Sequence, residues 1–238
     1  LGGDLELFKQ LIQAQDRQSL TTYAHACIDL LYNNLLNFDL PITLLALGQG
    51  QAMGGGFETA LSCGRIIAER SARMGLPEVL FNLFPGMGAF NLLARRIGSN
   101  QAEKMILSGD TYSAEELYKM DVIDLVVNDG EGFQAMEQYV QNHSSSRNTY
   151  NAIQKVRQIA EPINYQHLID IVDVWIDAAL RLSKRDIAKM ERLLYAQTTL
   201  GNRNVSRTLR TRRHKDWRSS SDISLPLKDH LGNDVSED

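Results

Sequence analysis

Long apolar runs are missing from this 238-residue chain. Nowhere do about 18 apolar residues follow one another, so no segment reads as a membrane span. Cysteine is scarce as well. Cys27 and Cys63 are the only two, they lack metal-ligand spacing, and their apolar settings read as buried thiols of a reducing compartment. There is no excess of basic charge, because 25 Lys and Arg stand against 29 Asp and Glu. The resulting net charge of −4 argues against nucleic acid as the main partner. No internal repeat is apparent and no secretory leader is visible. The chain opens at Leu1 rather than at a methionine, so a preceding segment is expected. A cytoplasmic setting is expected, with no cofactor and no metal.

What is present is organised unevenly. Residues 5–13 and 20–36 carry apolar side chains at helical spacing. Residues 41–47, PITLLAL, read as a short buried strand. GQGQAMGGGFETALSC follows, a glycine-rich turn that feeds a helix. Residues 65–68 and 73–76 read as extended, 86–97 and 100–107 as helical, and 122–127 as the last strand. Ser113-Ala-Glu-Glu116 is a capping-box signature. From about residue 133 to 200 the period is helical, broken near Pro162. Leu168, Ile171, Val172, Trp175, Ala179 and Leu182 form one stripe there, continued by Ile187, Met190 and Leu194. The expectation is a sheet-containing core over 1–130, a helical region over 131–200 that covers the site or a neighbouring subunit, and a polar tail over 201–238. Seven Arg and Lys between 203 and 218 make that tail basic before its acidic end, and it reads as mobile.

The glycine-rich stretch supports two chemistries. Gly48 to Gly54 follows a strand and opens a helix, as a dinucleotide-binding turn does, and Glu69 sits about where a ribose-binding acid is expected. Against this, Glu58 falls in the first helical turn, where its charge would repel a pyrophosphate. The downstream chain also does not alternate strands and helices as a doubly wound sheet requires. The second chemistry is acid–base work on a carbonyl compound. Gly54, Gly55 and Gly56 leave N–H groups free at a helix start and let a ligand come close to the backbone. Glu58 projects nearby, and Glu78 follows in the stiff turn Gly75-Leu76-Pro77-Glu78. Two carboxylates flanking a polarised thioester can exchange protons with the carbon next to the carbonyl and with a hydroxyl beyond it. Each carboxylate also has a bland reading, Glu58 as a helix-dipole partner and Glu78 as a solvated loop residue. The triple glycine is the more specific signal, since glycine is costly in a helix.

The stretch GQGQAMGGGFETALSCGRIIAERSARMGLPEVLFNLFPGMGAFNLLARRIG resembles the signature of the crotonase (enoyl-CoA hydratase) superfamily, and TYSAEELYKMDVIDLVV continues the likeness. LGGDLELF, GLPEVLFNLFPGMGA and IVDVWIDAAL further resemble the synthases of diffusible signal factors, cis-2-unsaturated fatty acid quorum signals. The resemblance implies an α/β (α+β) fold, a ββα spiral with a C-terminal helical trimerisation region, whose N-terminal strands precede Leu1. It implies dehydration of a 3-hydroxyacyl thioester on acyl carrier protein, or on coenzyme A, followed by hydrolysis of the thioester. The alternative is an enoyl-CoA hydratase or isomerase of fatty acid metabolism.

Residue by residue, Glu58 and Glu78 match the family's catalytic glutamates and Gly55 one oxyanion donor, the other lying at or just before Leu1. Trp175 and Leu193 match positions that resemble the family's acyl pocket. Met87, adaptable and set between Gly86 and Gly88, is expected to shape the same tunnel, with Gly86 beside it as a substrate-binding residue. Plain core packing is the competing reading for Met87, Trp175 and Leu193. A homotrimer or a dimer of trimers is implied, and in some members a sensor-kinase receiver domain as partner. Two departures stand out. Gly64 replaces a frequent Asp, and Asp121 replaces a usual Gly before the last strand.

Overall fold

The computed structural model describes residues 4–193 and 195, all within one compact unit, Leu1–Thr199. Aspartates begin the first two helices. Asp4 accepts from the Leu7 N–H at 3.0 Å to start α1 (Leu5–Gln13), and Asp16 accepts from Ser19 at the same distance to start α2 (Arg17–Leu35). Each is an N-cap that satisfies an otherwise orphaned donor. The chain then winds as a spiral of paired short strands and helices. β1 (Leu45–Gly48) leads into β2 (Gln51–Met53), and α3 (Gly55–Ser62) returns the chain. β3 (Arg65–Glu69) and β4 (Arg73–Gly75) repeat the pattern, followed by a 3-10 turn at Pro77–Phe81, α4 (Ala89–Ile97) and α5 (Ser99–Ser108). β5 (Thr111–Ser113), α6 (Ala114–Lys119) and β6 (Leu125–Val127) close the spiral. α7 (Gly132–His143), α8 (Arg147–Ala160) and α9 (Tyr165–Leu180) follow, and residues 184–193 are again helical.

Two three-stranded sheets result. One has the order β1-β3-β6, all parallel, with Leu45 opposite Arg65 and Ile67 opposite Leu125. The other has the order β2-β4-β5, with β4 and β5 antiparallel. Because β1 and β2 belong to different sheets, the glycine-rich stretch crosses between sheets before entering α3. A dinucleotide turn joins strand directly to helix, so that reading falls. Glu69, its proposed ribose acid, is buried and accepts from Gln49 Nε2 at 2.9 Å and from the Gly132 N–H at 3.2 Å.

Several expected boundaries move. The strand expected over 41–47 covers only 45–48, and that expected over 122–127 covers only 125–127. The helix expected from residue 86 begins at Ala89, because Gly88 takes φ 91°. The helical C-terminal half is broken at 144–146, at 161–164 and at 181–183. Cys27 and Cys63 are free but half-buried, not fully buried. Ser113 forms the full capping box with Glu116. Asp121 holds φ 59°, the left-handed conformation that explains why glycine is usual there. At Gly64 a Cβ would come within 3.1 Å of both Thr43 and Gln154, so an Asp there would need its neighbours to give way.

Two apolar cores organise the packing. Phe57, Leu61, Ile66, Met74, Leu93, Met105 and Leu117 centre one, beneath α3 to α6 and the sheets. Ile12, Leu20, Ile28, Phe81, Leu168, Val172, Trp175 and Met190 centre the other, among α1, α2, α9 and the helical segment 184–193. The stripe expected on α9 is buried at Leu168, Val172, Trp175 and Ala179, while Ile171 is half-buried. Leu194, its last expected member, and the tail over 201–238 lie outside the described residues. Among the described residues, no helix is long and apolar enough to cross a membrane.

Candidate active site

A cavity of about 900 Å³, its open mouth included, lies where the two cores meet. Its polar edge is built from α3 and the Pro77 turn. Gly54 adopts φ 53° and ψ −126°, and its N–H is tied to the Gly75 carbonyl at 2.9 Å. Its carbonyl takes the N–H groups of Phe57 and Glu58 at 2.8 and 3.0 Å. Gly55 and Gly56, the first two residues of α3, follow with their N–H groups unclaimed among the described residues. A side chain at Gly54 is excluded twice, by its left-handed φ and because a Cβ would overlap Glu78 Oε1.

Glu58 is buried at 1% exposure. Its Oε1 accepts two backbone N–H groups, from Met87 at 2.8 Å and from Ala89 at 3.1 Å. Gly88, between those donors, turns the chain so that both amides point at one oxygen. Burial raises the Glu58 pKa to about 8, the nearby Glu78 carboxyl adds to the rise, and the two amides oppose it. Glu78 is half-buried overall, yet its Oε2 is shut from solvent and has no hydrogen-bond partner. Burial raises its pKa to about 7. Both carboxyls titrate far above the ordinary 4.5, so near neutral pH the pair retains protons that solvated glutamates would have lost. A pair of this kind can take up one proton and give another.

The remaining walls are apolar. Leu5, Phe8 and Ile12 of α1, Ala24 and Cys27 of α2, and Val172 and Trp175 of α9 supply them, with Met190 and Leu193 beyond. Trp175 packs on Phe8 with ring centroids 5.2 Å apart and lies directly over Gly86, where a Cβ would come within 2.5 Å of its ring. Gly55, Glu58, Glu78, Gly86, Met87, Trp175 and Leu193 all line this one cavity. Met87 is expected to act through its side chain, but its backbone N–H is what holds Glu58. Expectations from the sequence omitted Ala89, Gly88 and the walls from α1 and α2. Leu5, Phe8 and Ile12 do share one helical face, a pattern that announces burial without saying against what. The second expected oxyanion donor, at or before Leu1, lies outside the described residues.

A ββα spiral with two carboxyls beside a glycine-rich helix start defines a crotonase-type protein. Comparison with known families makes this specific: the enoyl-CoA hydratase/isomerase family model matches residues 2–167, and the chain belongs to that family. The chain is 32% identical over 130 residues to the peroxisomal fatty acid beta-oxidation multifunctional protein AIM1 of Arabidopsis thaliana, covering 55% of this chain and 17% of that protein. It is 37% identical over 93 residues to 2,3-dehydroadipyl-CoA hydratase of Escherichia coli K12, covering 39% of this chain and 36% of that one. The chain therefore spans about a third or less of the length of these relatives. Among solved structures, an enoyl-CoA hydratase from Mycobacterium avium subsp. paratuberculosis K-10 shares the fold with a TM-score of 0.65 at 18% identity, over 74% of this chain and 71% of that one. An enoyl-CoA hydratase from Bacillus halodurans does so with a TM-score of 0.63 at 24% identity, over 79% and 74%.

Proposed function

We propose that this protein adds water to a 2-enoyl thioester, or removes it from a 3-hydroxyacyl thioester, with Glu58 and Glu78 exchanging the protons. The observation that carries this reading is the meeting of two buried, proton-retaining carboxyls with the unclaimed N–H of Gly55 in one apolar cavity. In the hydration direction one carboxylate takes a proton from water as the oxygen bonds to C3. The other carboxyl gives a proton to C2, so the pair's proton count is unchanged. Negative charge passes through the thioester oxygen, where the Gly55 N–H and the positive end of α3 stabilise it. Membership of the family and the named activities of its relatives favour this hydratase reading over the narrower one.

The narrower reading is synthesis of a cis-2-unsaturated fatty acid signal, in which dehydration on acyl carrier protein is followed by hydrolysis of the thioester. What supports it is that Trp175 and Leu193, which match positions resembling the family's acyl pocket, and the adaptable Met87 share the cavity with the two glutamates. One incubation tests both. The protein is given 3-hydroxydodecanoyl thioesters of coenzyme A and of acyl carrier protein, and products are identified by mass spectrometry and NMR. Reversible formation of a 2-enoyl thioester supports the hydratase reading. A free cis-2-enoic acid from the carrier-protein substrate supports signal synthesis. No turnover of either substrate refutes both.

A further inference from the structure

A second pocket, of about 390 Å³ with its open mouth included, opens where the C-terminal ends of α3 and α4 meet α8. Its chemistry is the reverse of the acyl cavity's. Arg95 and Arg96 enter it from the last turn of α4 and Arg157 from α8, beside the amides of Asn34, Asn37 and Gln154. Arg96 is fully engaged: it donates to the Val122 and Cys63 carbonyls at 3.1 Å and lies 3.5 Å from Asp124. Asp124 also faces Arg65 at 3.5 Å, so one carboxylate serves two guanidiniums.

Arg95 and Arg157 are not matched in this way. They share the exposed Glu161 at 3.7 and 4.0 Å, both beyond hydrogen-bond range. The Arg95 side chain is only 13% exposed, and its Nε is buried without any hydrogen-bond partner. Burial first, and then the Arg157 charge, hold the Arg95 guanidinium below its usual range, partly offset by Glu161. A bland account exists, because basic residues in a helix's last turn complement its dipole, and it reaches all three arginines: Arg95 and Arg96 end α4 and Arg157 ends α8. It does not reach the buried Arg95 Nε, a donor left empty, which costs free energy until something accepts from it.

We infer that this pocket is an oxyanion site that takes a phosphate group between the guanidiniums of Arg95 and Arg157. Planar guanidinium forks match phosphate oxygens in geometry and charge, and the bound anion supplies the countercharge that Glu161 provides only at a distance. The inference is independent of the catalytic reading, since no residue of the acyl cavity takes part.

Calorimetric titration of the full chain with inorganic phosphate, at ionic strength balanced with sodium chloride, tests it. Saturable binding at one site is expected. Arg157→Gln and Arg95→Gln should each weaken it about ten- to a hundredfold, the equivalent of one charge-assisted hydrogen bond. Arg147→Gln removes the same charge from the exposed start of α8 and should leave binding unchanged, as should Glu58→Gln. Arg157 is 31% exposed, so its replacement leaves the apolar core intact. Glycerol 3-phosphate provides the second arm. Binding as tight as that of inorganic phosphate points to a phosphate group carried on a larger molecule, and binding of inorganic phosphate alone points to the free ion. Absence of saturable binding, or equal affinity in the wild type and both pocket variants, overturns the inference.

Discussion

Glu58 and Glu78 set a conflict between stability and chemistry that can be measured. An unfolded glutamate titrates near 4.5, whereas the folded values lie near 8 for Glu58 and 7 for Glu78. Below about pH 4.5 both states hold these protons and the sites cost nothing. As pH rises toward 8 the unfolded chain releases protons that the folded chain keeps, so stability falls across that window. Glu58→Gln keeps an oxygen for the Met87 and Ala89 N–H groups and removes the buried charge. Denaturant unfolding at pH 8 should show the variant more stable by on the order of 2–4 kcal/mol, with the gain vanishing by pH 4.5. Its turnover should fall by about 10²–10⁴-fold. An identical loss of stability with pH in both proteins would show that the Glu58 carboxyl is not held protonated. Gly54 is the companion case. Gly54→Ala forces a Cβ into φ 53° and against Glu78 Oε1. It should cost about 1–2 kcal/mol of stability and should reduce turnover while the fold, followed by circular dichroism, persists.

The element that joins chemistry to packing is the turn 86–88 at the head of α4. The turn and the first residue of α4 present the Met87 and Ala89 amides to Glu58, and Trp175 of α9 packs against the turn at Gly86. Gly86→Ala should therefore drive the turn off Trp175, pull the Met87 N–H from Glu58 and lower turnover about tenfold or more, the cost of displacing one positioned group. Trp175→Leu in the same protein should restore part of that loss, and a double-mutant cycle would measure the coupling. Additive effects would show that the ring does not act through Gly86. The same turn marks where sequence patterns stop being readable. Gly86 and Gly88 sit next to an apolar helical run, so periodicity alone extends the helix back over them. β2 and β5 have three residues each, too few for a period to emerge. The carboxyls and the triple glycine were legible because they lie close together in sequence with turn residues between. The walls from α1 and α2 were not, because the packing of Phe8 on Trp175 is a contact between distant parts of the chain. Local rules survive best: the Ser113 box is formed as the sequence implies, and Ser113→Ala should cost about 1 kcal/mol in thermal unfolding.

At the scale of the whole molecule, the proposed acyl cavity is the seam between two cores. Glu58 stands on the helix whose Phe57 and Leu61 belong to one core, while Phe81, Trp175 and Met190 belong to the other. A ligand in the seam stabilises both at once, so binding should be visible as a shift in unfolding temperature. In a series of non-hydrolysable acyl thioester analogues, each added methylene should tighten binding by at most about 0.8 kcal/mol until the cavity is full. Beyond that length the gain should stop. Ala24 and Cys27, one turn apart on α2, are the smallest side chains in the wall that α1 and α2 provide, and their size leaves room that a larger residue would fill. Ala24→Phe or Cys27→Phe should thus bring the plateau to shorter chains while the shortest analogues bind as before, because the polar edge formed by Gly54, Gly55, Glu58 and Glu78 is built from other elements. If short and long analogues weaken equally in these variants, α2 does not bound the acyl chain, and the limit lies elsewhere in the lining, where Met190 and Leu193 are the next residues to vary.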